Sequence, residues 1–147
     1  MIRYGHKLML VLVAVLASAV VHADAKGEIA YRQGAFKVVG GHMSSMVAIL
    51  RGQVKEGNFA LHAQGMADIA QVIPSVFPEG SGVGKTGALA KIWEDKAGFQ
   101  KAMDDFTAAA DGLAAAVAGG DRAAVGGAFR KLGGACKGCH DNYREEH

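Results

Sequence analysis

The chain has 147 residues, half of them apolar and a fifth charged, which excludes extended disorder and allows one domain of ordinary size plus an appendage. Sixteen Lys and Arg against fourteen Asp and Glu give a formal charge of +2, too balanced for binding nucleic acid or anionic membranes by charge. Two cysteines exclude a disulfide scaffold.

At the N-terminus, Arg3 and Lys7 precede an unbroken apolar or small stretch from Leu8 to Val21. A bilayer span takes about 20 apolar residues, so this run is short for one. Val21-His22-Ala23 and Ala23-Asp24-Ala25 supply the small residues at which a signal peptidase cuts. The reading is a signal peptide over 1–23, cleaved after 23 or 25, rather than an uncut anchor. Residues 24–147 form the mature domain, which carries 14 bases and 14 acids because Arg3 and Lys7 leave with the leader. Export to the periplasm follows, with no membrane attachment afterwards.

Four amphipathic stretches come next. From Asp24 to about Leu50, Ile29, Phe36, Val39, Met43, Met46 and Leu50 recur at threes and fours, the stripe of a helix facing a core. Arg32 falls inside that stripe, an unusual place for a cation. Gly40-Gly41 interrupts the helix with two poor helix formers, either a kink or a place for close approach. Asn58 caps a second helix, in which Phe59, His62, Met66, Ile69 and Ile73 keep the period until Pro74 and Pro78 stop it. Pro78 to Thr86 has three glycines and no period, so it is a loop. A third stripe runs through Ile92, Phe99, Met103, Phe106, Ala110, Leu113 and Val117 and ends at Gly119-Gly120. Asp121 then caps a fourth, with Val125, Phe129, Leu132, Cys136, Cys139 and Tyr143 on one face. Near-heptad spacing, two short connections and no strand signal predict an all-α, antiparallel up-and-down four-helix bundle.

Both cysteines and one histidine fall in Cys136-Lys137-Gly138-Cys139-His140, the C-x-x-C-H signature of covalent haem attachment. Residues three apart share a helix face, so two thiols can meet two vinyl groups on one porphyrin edge. His140, turned about 100° from Cys139, can reach the iron. A redox C-x-x-C usually opens a helix after a strand, which this one does not. A zinc site would need a fourth ligand from His42, His62 or His147. One covalent haem c per chain is the expected cofactor. The sixth position on the iron decides between functions: Met43, Met46, Met66 and Met103 all lie on apolar stripes as candidate ligands, and His62 does too.

Several further segments together resemble the cytochrome c-prime family: Tyr31-Arg32-Gln33-Gly34-Ala35-Phe36, Gly41-His42-Met43, Ile92-Trp93-Glu94-Asp95, Ala97-Gly98-Phe99 and Cys136 through Arg144. The resemblance spans essentially the whole mature chain. It implies a periplasmic four-helix bundle, usually a homodimer, whose haem iron is five-coordinate and high spin and binds nitric oxide or carbon monoxide. Carried over, Cys136 and Cys139 form thioethers, His140 is the proximal ligand, and Arg32 and Gln33 meet the haem propionates. Phe36 stands where the family covers the vacant distal face, and low-spin relatives carry methionine there. Arg144 falls beside the proximal pocket. Thr86, Phe77 and Trp93 are further candidates for the pocket wall and propionate contacts. This sequence departs from the family at Ser75, where an aromatic residue is usual, and at Ala90-Lys91, where Pro-Glu is usual.

The expected function is gas binding without catalysis, with electron transfer as an added role and the redox partner left open. The alternative is a low-spin electron carrier with a methionine sixth ligand. A peroxidase-like enzyme would need a distal acid–base pair, which the stripe around Phe36 does not provide.

Overall fold

The computed structural model describes residues 3–146, with side chains from Ala25 to Glu146. The leader predicted over 1–23 lies outside the described side chains, and His147 lies outside the described residues. Among the described residues five helices follow in order: α1 (Arg3–Leu50), α2 (Phe59–Ala70), α3 (Lys91–Glu94), α4 (Lys96–Gly119) and α5 (Arg122–Tyr143). A 3-10 turn at Ile73–Val76 lies between α2 and α3.

Local chemistry sets the helix ends. Asn58 accepts from Leu61 N–H at 2.9 Å and opens α2. Asp121 accepts from Ala123 N–H at 2.8 Å and opens α5. Gly120 takes φ 75°, a left-handed conformation that glycine adopts without strain, and so closes α4. Two boundaries differ from the sequence reading. The second helix ends at Ala70, because Pro74 has no N–H and the chain tightens to 3-10 before it. The third stripe breaks at Asp95, which leaves the helical region at φ −106°, ψ 63° and caps α4 through Gly98 N–H at 3.0 Å.

The long helices α1, α2, α4 and α5 make the predicted up-and-down bundle. α1 packs on α2, α2 on α4, and α4 on α5. Phe99, Met103, Phe106, Ala110 and Leu113 of α4 are buried against Ala63, Met66 and Ala70 of α2, as their period requires. The ring of contacts does not close. Among the described residues α1 and α5 do not pack on each other, and α5 fully buries only Leu132 and Tyr143. Its remaining apolar face is half-covered, including Phe129, Cys136 and Cys139.

Candidate functional site

The gap between the first and last helices is a cavity of about 670 Å³, within the range that holds a cofactor-sized molecule. α1 contributes Phe36, Val39, Gly40 and Met43, spaced i, i+3, i+4 and i+7 on one face. α5 contributes Gly133, Cys136, Cys139, His140 and Tyr143. Phe99, Met103 and Phe106 of α4 form the inner wall with Ile73 and Phe77.

Four aromatic rings run through this wall edge to face. Phe36 meets Phe77 at 5.9 Å between centroids, Phe77 meets Phe99 at 4.9 Å, and Phe99 meets Tyr143 at 5.2 Å. Each such pair adds about 0.5–1.5 kcal/mol beyond its burial. The series ties α1 to the far end of α5 across the site. Phe77 therefore lines the cavity where the usual aromatic at Ser75 is missing.

Arg32 borders the cavity but is only 3% exposed. Its Nη1 donates to Val76 O at 3.3 Å and Ser81 Oγ at 2.8 Å, and its Nη2 donates to Ser81 O and Thr86 Oγ1, each at 2.9 Å. The guanidinium also lies over the Phe77 ring at 5.1 Å. Burial pushes its pKa down while Glu28 opposes that shift. These contacts explain a cation on a buried stripe: it fastens the glycine-rich 78–86 loop to α1. Both terminal nitrogens are thereby occupied by protein acceptors. Gln33, whose Nε2 donates to Lys85 O at 3.2 Å, and Lys37 stand at the exposed edge.

Trp93 stands behind the cavity wall. It does not line the cavity; its Nε1 donates to Phe77 O and Pro78 O, each at 3.2 Å, and its ring lies against Gly82. Trp93 positions the Phe77 turn from behind.

The end of α5 is clamped. Tyr143 donates to Asp95 Oδ2 at 2.9 Å, Leu89 N–H donates to Tyr143 O at 3.0 Å, and Glu145 N–H donates to Gly87 O at 2.9 Å. Ala88 and Arg144 form an antiparallel bridge between them. Arg144 is thereby held at the cavity mouth beside His140. Burial, then Arg144, lowers the His140 pKa, with Asp141 opposing.

The two thiols behave alike. Burial raises both pKa values, and Cys139 is pushed up to about 11 by burial and the neighbouring Cys136. A reactive dithiol is favoured by a lowered pKa, and burial here acts in the opposite direction. Among the described residues Cys136, Cys139 and His140 are not grouped with His42 or His62 as a set of ligands for a bare metal ion. His42 and His62 do not line the cavity. Of the four methionines, Met43 and Met103 line it, while Met46 and Met66 are buried elsewhere in the core.

The donor set fits a flat, apolar, dianionic group bound through two sulphurs. The wall is mainly carbon, the rim carries Arg32, Lys37 and Arg144, and among the described residues no carboxylate lines the cavity. A Cβ added at Gly40 or Gly133, which face the space from α1 and α5, would meet nothing within 4 Å. Sequence reasoning missed Lys37, Gly133, Phe99, Phe106 and Tyr143. Helical spacing places the first two, since Lys37 lies four after Gln33 and Gly133 three before Cys136, each about one turn away.

A four-helix bundle with a cavity opened on a C-x-x-C-H helix defines a c-type haem protein. The Cytochrome C' family profile matches residues 27–144. A cytochrome c' of Pararhodospirillum photometricum is 39% identical over 125 residues, covering 84% of this chain and all of that one. The structure of cytochrome c prime from Shewanella frigidimarina superposes with a TM-score of 0.78 at 36% identity, covering 83% of this chain and 97% of that chain. A ferrous arginine-to-lysine variant of cytochrome c prime from Alcaligenes xylosoxidans with bound NO superposes at 0.76 and 26% identity, covering 84% and 97%. The chain belongs to the cytochrome c' family. Its cofactor is haem c, held covalently, for which Cys136 and Cys139 are the chain's two cysteines.

Proposed function

We propose that the protein is an exported haem sensor or scavenger that binds nitric oxide and carbon monoxide at a five-coordinate, high-spin iron. The haem supplies the iron on which a diatomic gas is bound. Cys136 and Cys139 would anchor it, and His140 would offer a nitrogen to the iron. Gln33 and Lys37 meet the propionates at the exposed edge, with Arg32 and Thr86 fixing the loop beside them. Phe36 covers the approach on the α1 side.

One observation carries this reading. The α1 wall of Phe36, Val39, Gly40 and Met43 presents no hydrogen-bond donor to the cavity. Bound oxygen gains from a donor, whereas nitric oxide and carbon monoxide do not need one. The NO complex of the Alcaligenes xylosoxidans relative supports the same ligand class. His42 contacts His62 and does not line the cavity. Among the described residues no helix is long and apolar enough to cross a membrane, in keeping with a protein released from its leader over 1–23. Exposed Tyr31 and Val38 on α1 and Leu61 on α2 support pairing of two copies.

Met43 and Met103 at the cavity wall favour the second reading, an electron carrier with a thioether sixth ligand. Optical titration of the ferrous protein with carbon monoxide separates the two. Stoichiometric uptake with a shifted Soret band is expected, unchanged in Met43→Leu and Met103→Leu. A spectrum indifferent to the gas establishes the carrier instead.

A further inference from the structure

Away from the haem cavity, nitrogen donors from two helices converge. His42 of α1 and His62 of α2 bring their Nδ1 atoms to 3.2 Å, with rings 5.4 Å apart and inclined at 64°. We propose that His42 and His62 form a chelating pair for a divalent transition-metal ion of the zinc or copper class, independent of the haem.

The distance is the reason. Imidazole–zinc bonds are 2.0–2.1 Å, and two of them at a tetrahedral angle place their nitrogens about 3.3 Å apart. The pair already stands at that separation before any ion arrives. Without metal, one Nδ1–H donates to the other ring's Nδ1 lone pair, so a proton lies where the ion would go. On binding, that proton leaves Nδ1 and the same ring takes a proton at Nε2 from water. The exchange is neutral, and both Nδ1 lone pairs then face the metal. Both rings are half-buried, so neither is sealed from solvent. Borderline ions of this class accept imidazole readily.

The site is also built. Gly65, three residues after His62, lets the His42 ring lie on the α2 backbone. A Cβ there would fall 2.4 Å from His42 Cε1 and 2.6 Å from its Nε2. Asp68, further along α2, places negative charge near His42, where it favours a bound cation. Pre-positioned donors lose less freedom on binding than donors gathered from loops.

The test is calorimetric titration of zinc chloride into the folded holoprotein at neutral pH, with no stronger chelator present. One zinc per chain is expected. His42→Ala and His62→Ala should each weaken binding about tenfold or more, as loss of a ligand requires. Gly65→Ala should do the same while keeping both imidazoles, because it displaces the His42 ring. His147→Ala should leave binding unchanged and so discount the terminal histidine. An unchanged Soret band and helical circular dichroism establish that each variant folds; His62→Gln replaces His62→Ala if that one does not. Zinc should also raise the thermal midpoint of the wild type and leave those of the pair variants unmoved. No heat at millimolar zinc overturns the proposal. So does binding that survives either single histidine substitution or Gly65→Ala, or that disappears in His147→Ala.

Discussion

At the residue scale, two side chains four apart on α1 do opposite jobs. Arg32 is spent on the loop through four hydrogen bonds, and Phe36 faces the open space. Arg32→Ala removes a charged donor and strands buried acceptors at Val76 and Ser81. The expected cost is about 2–4 kcal/mol of folding stability, read as a lower urea midpoint with an unchanged slope. A cost near zero would show that the loop stays in place without it. Phe36→Ala should speed carbon monoxide binding about tenfold, the effect of lowering a barrier by about 1.4 kcal/mol. Stopped-flow mixing measures this, and an unchanged rate would remove Phe36 from the gate. The sequence marked both residues, but the acceptors of Arg32 lie 44 to 54 positions away and no local pattern reveals them. The place of Trp93 was hidden for the same reason: an indole beside a pocket and an indole behind it share the same period.

At the element scale, the junction between α3, α4 and α5 is the point to probe. Asp95 caps α4 with one oxygen and accepts from Tyr143 with the other, and Gly98 is tight against both groups. The Tyr143 hydroxyl first, then Gly98 N–H, holds the Asp95 carboxyl below its ordinary range, with Lys91 adding to this and desolvation opposing it. A depressed carboxyl stabilises the fold above its unfolded pKa, and that contribution is lost as pH falls through the folded value. The wild type should therefore lose its advantage over Asp95→Asn below about pH 4. Urea melts of both holoproteins between pH 7 and 3 check this, and a pH-independent difference would contradict it. The helix ends at Asn58, Gly120 and Asp121 were legible because capping is local chemistry. The break at Asp95 was not, because the apolar stripe runs through it and the reason for the break is a tyrosine 48 residues later.

At the scale of the whole molecule, the bundle follows from four apolar stripes, and the site follows from one failure of closure. α1 and α5 carry stripes as regular as those of α2 and α4, yet they border a cavity instead of each other. Periodicity identifies an apolar face without saying whether protein or cofactor covers it. The C-x-x-C-H motif answers that question here. In the function proposed above, α5 would hold the iron from one side and the apolar wall of α1 would leave the other without a strong protein ligand. Electron paramagnetic resonance of the ferric holoprotein at neutral pH tests that claim most directly. A high-spin signal, unchanged in Met43→Leu and Met103→Leu, is the predicted result. A low-spin signal that turns high-spin in either variant would contradict it.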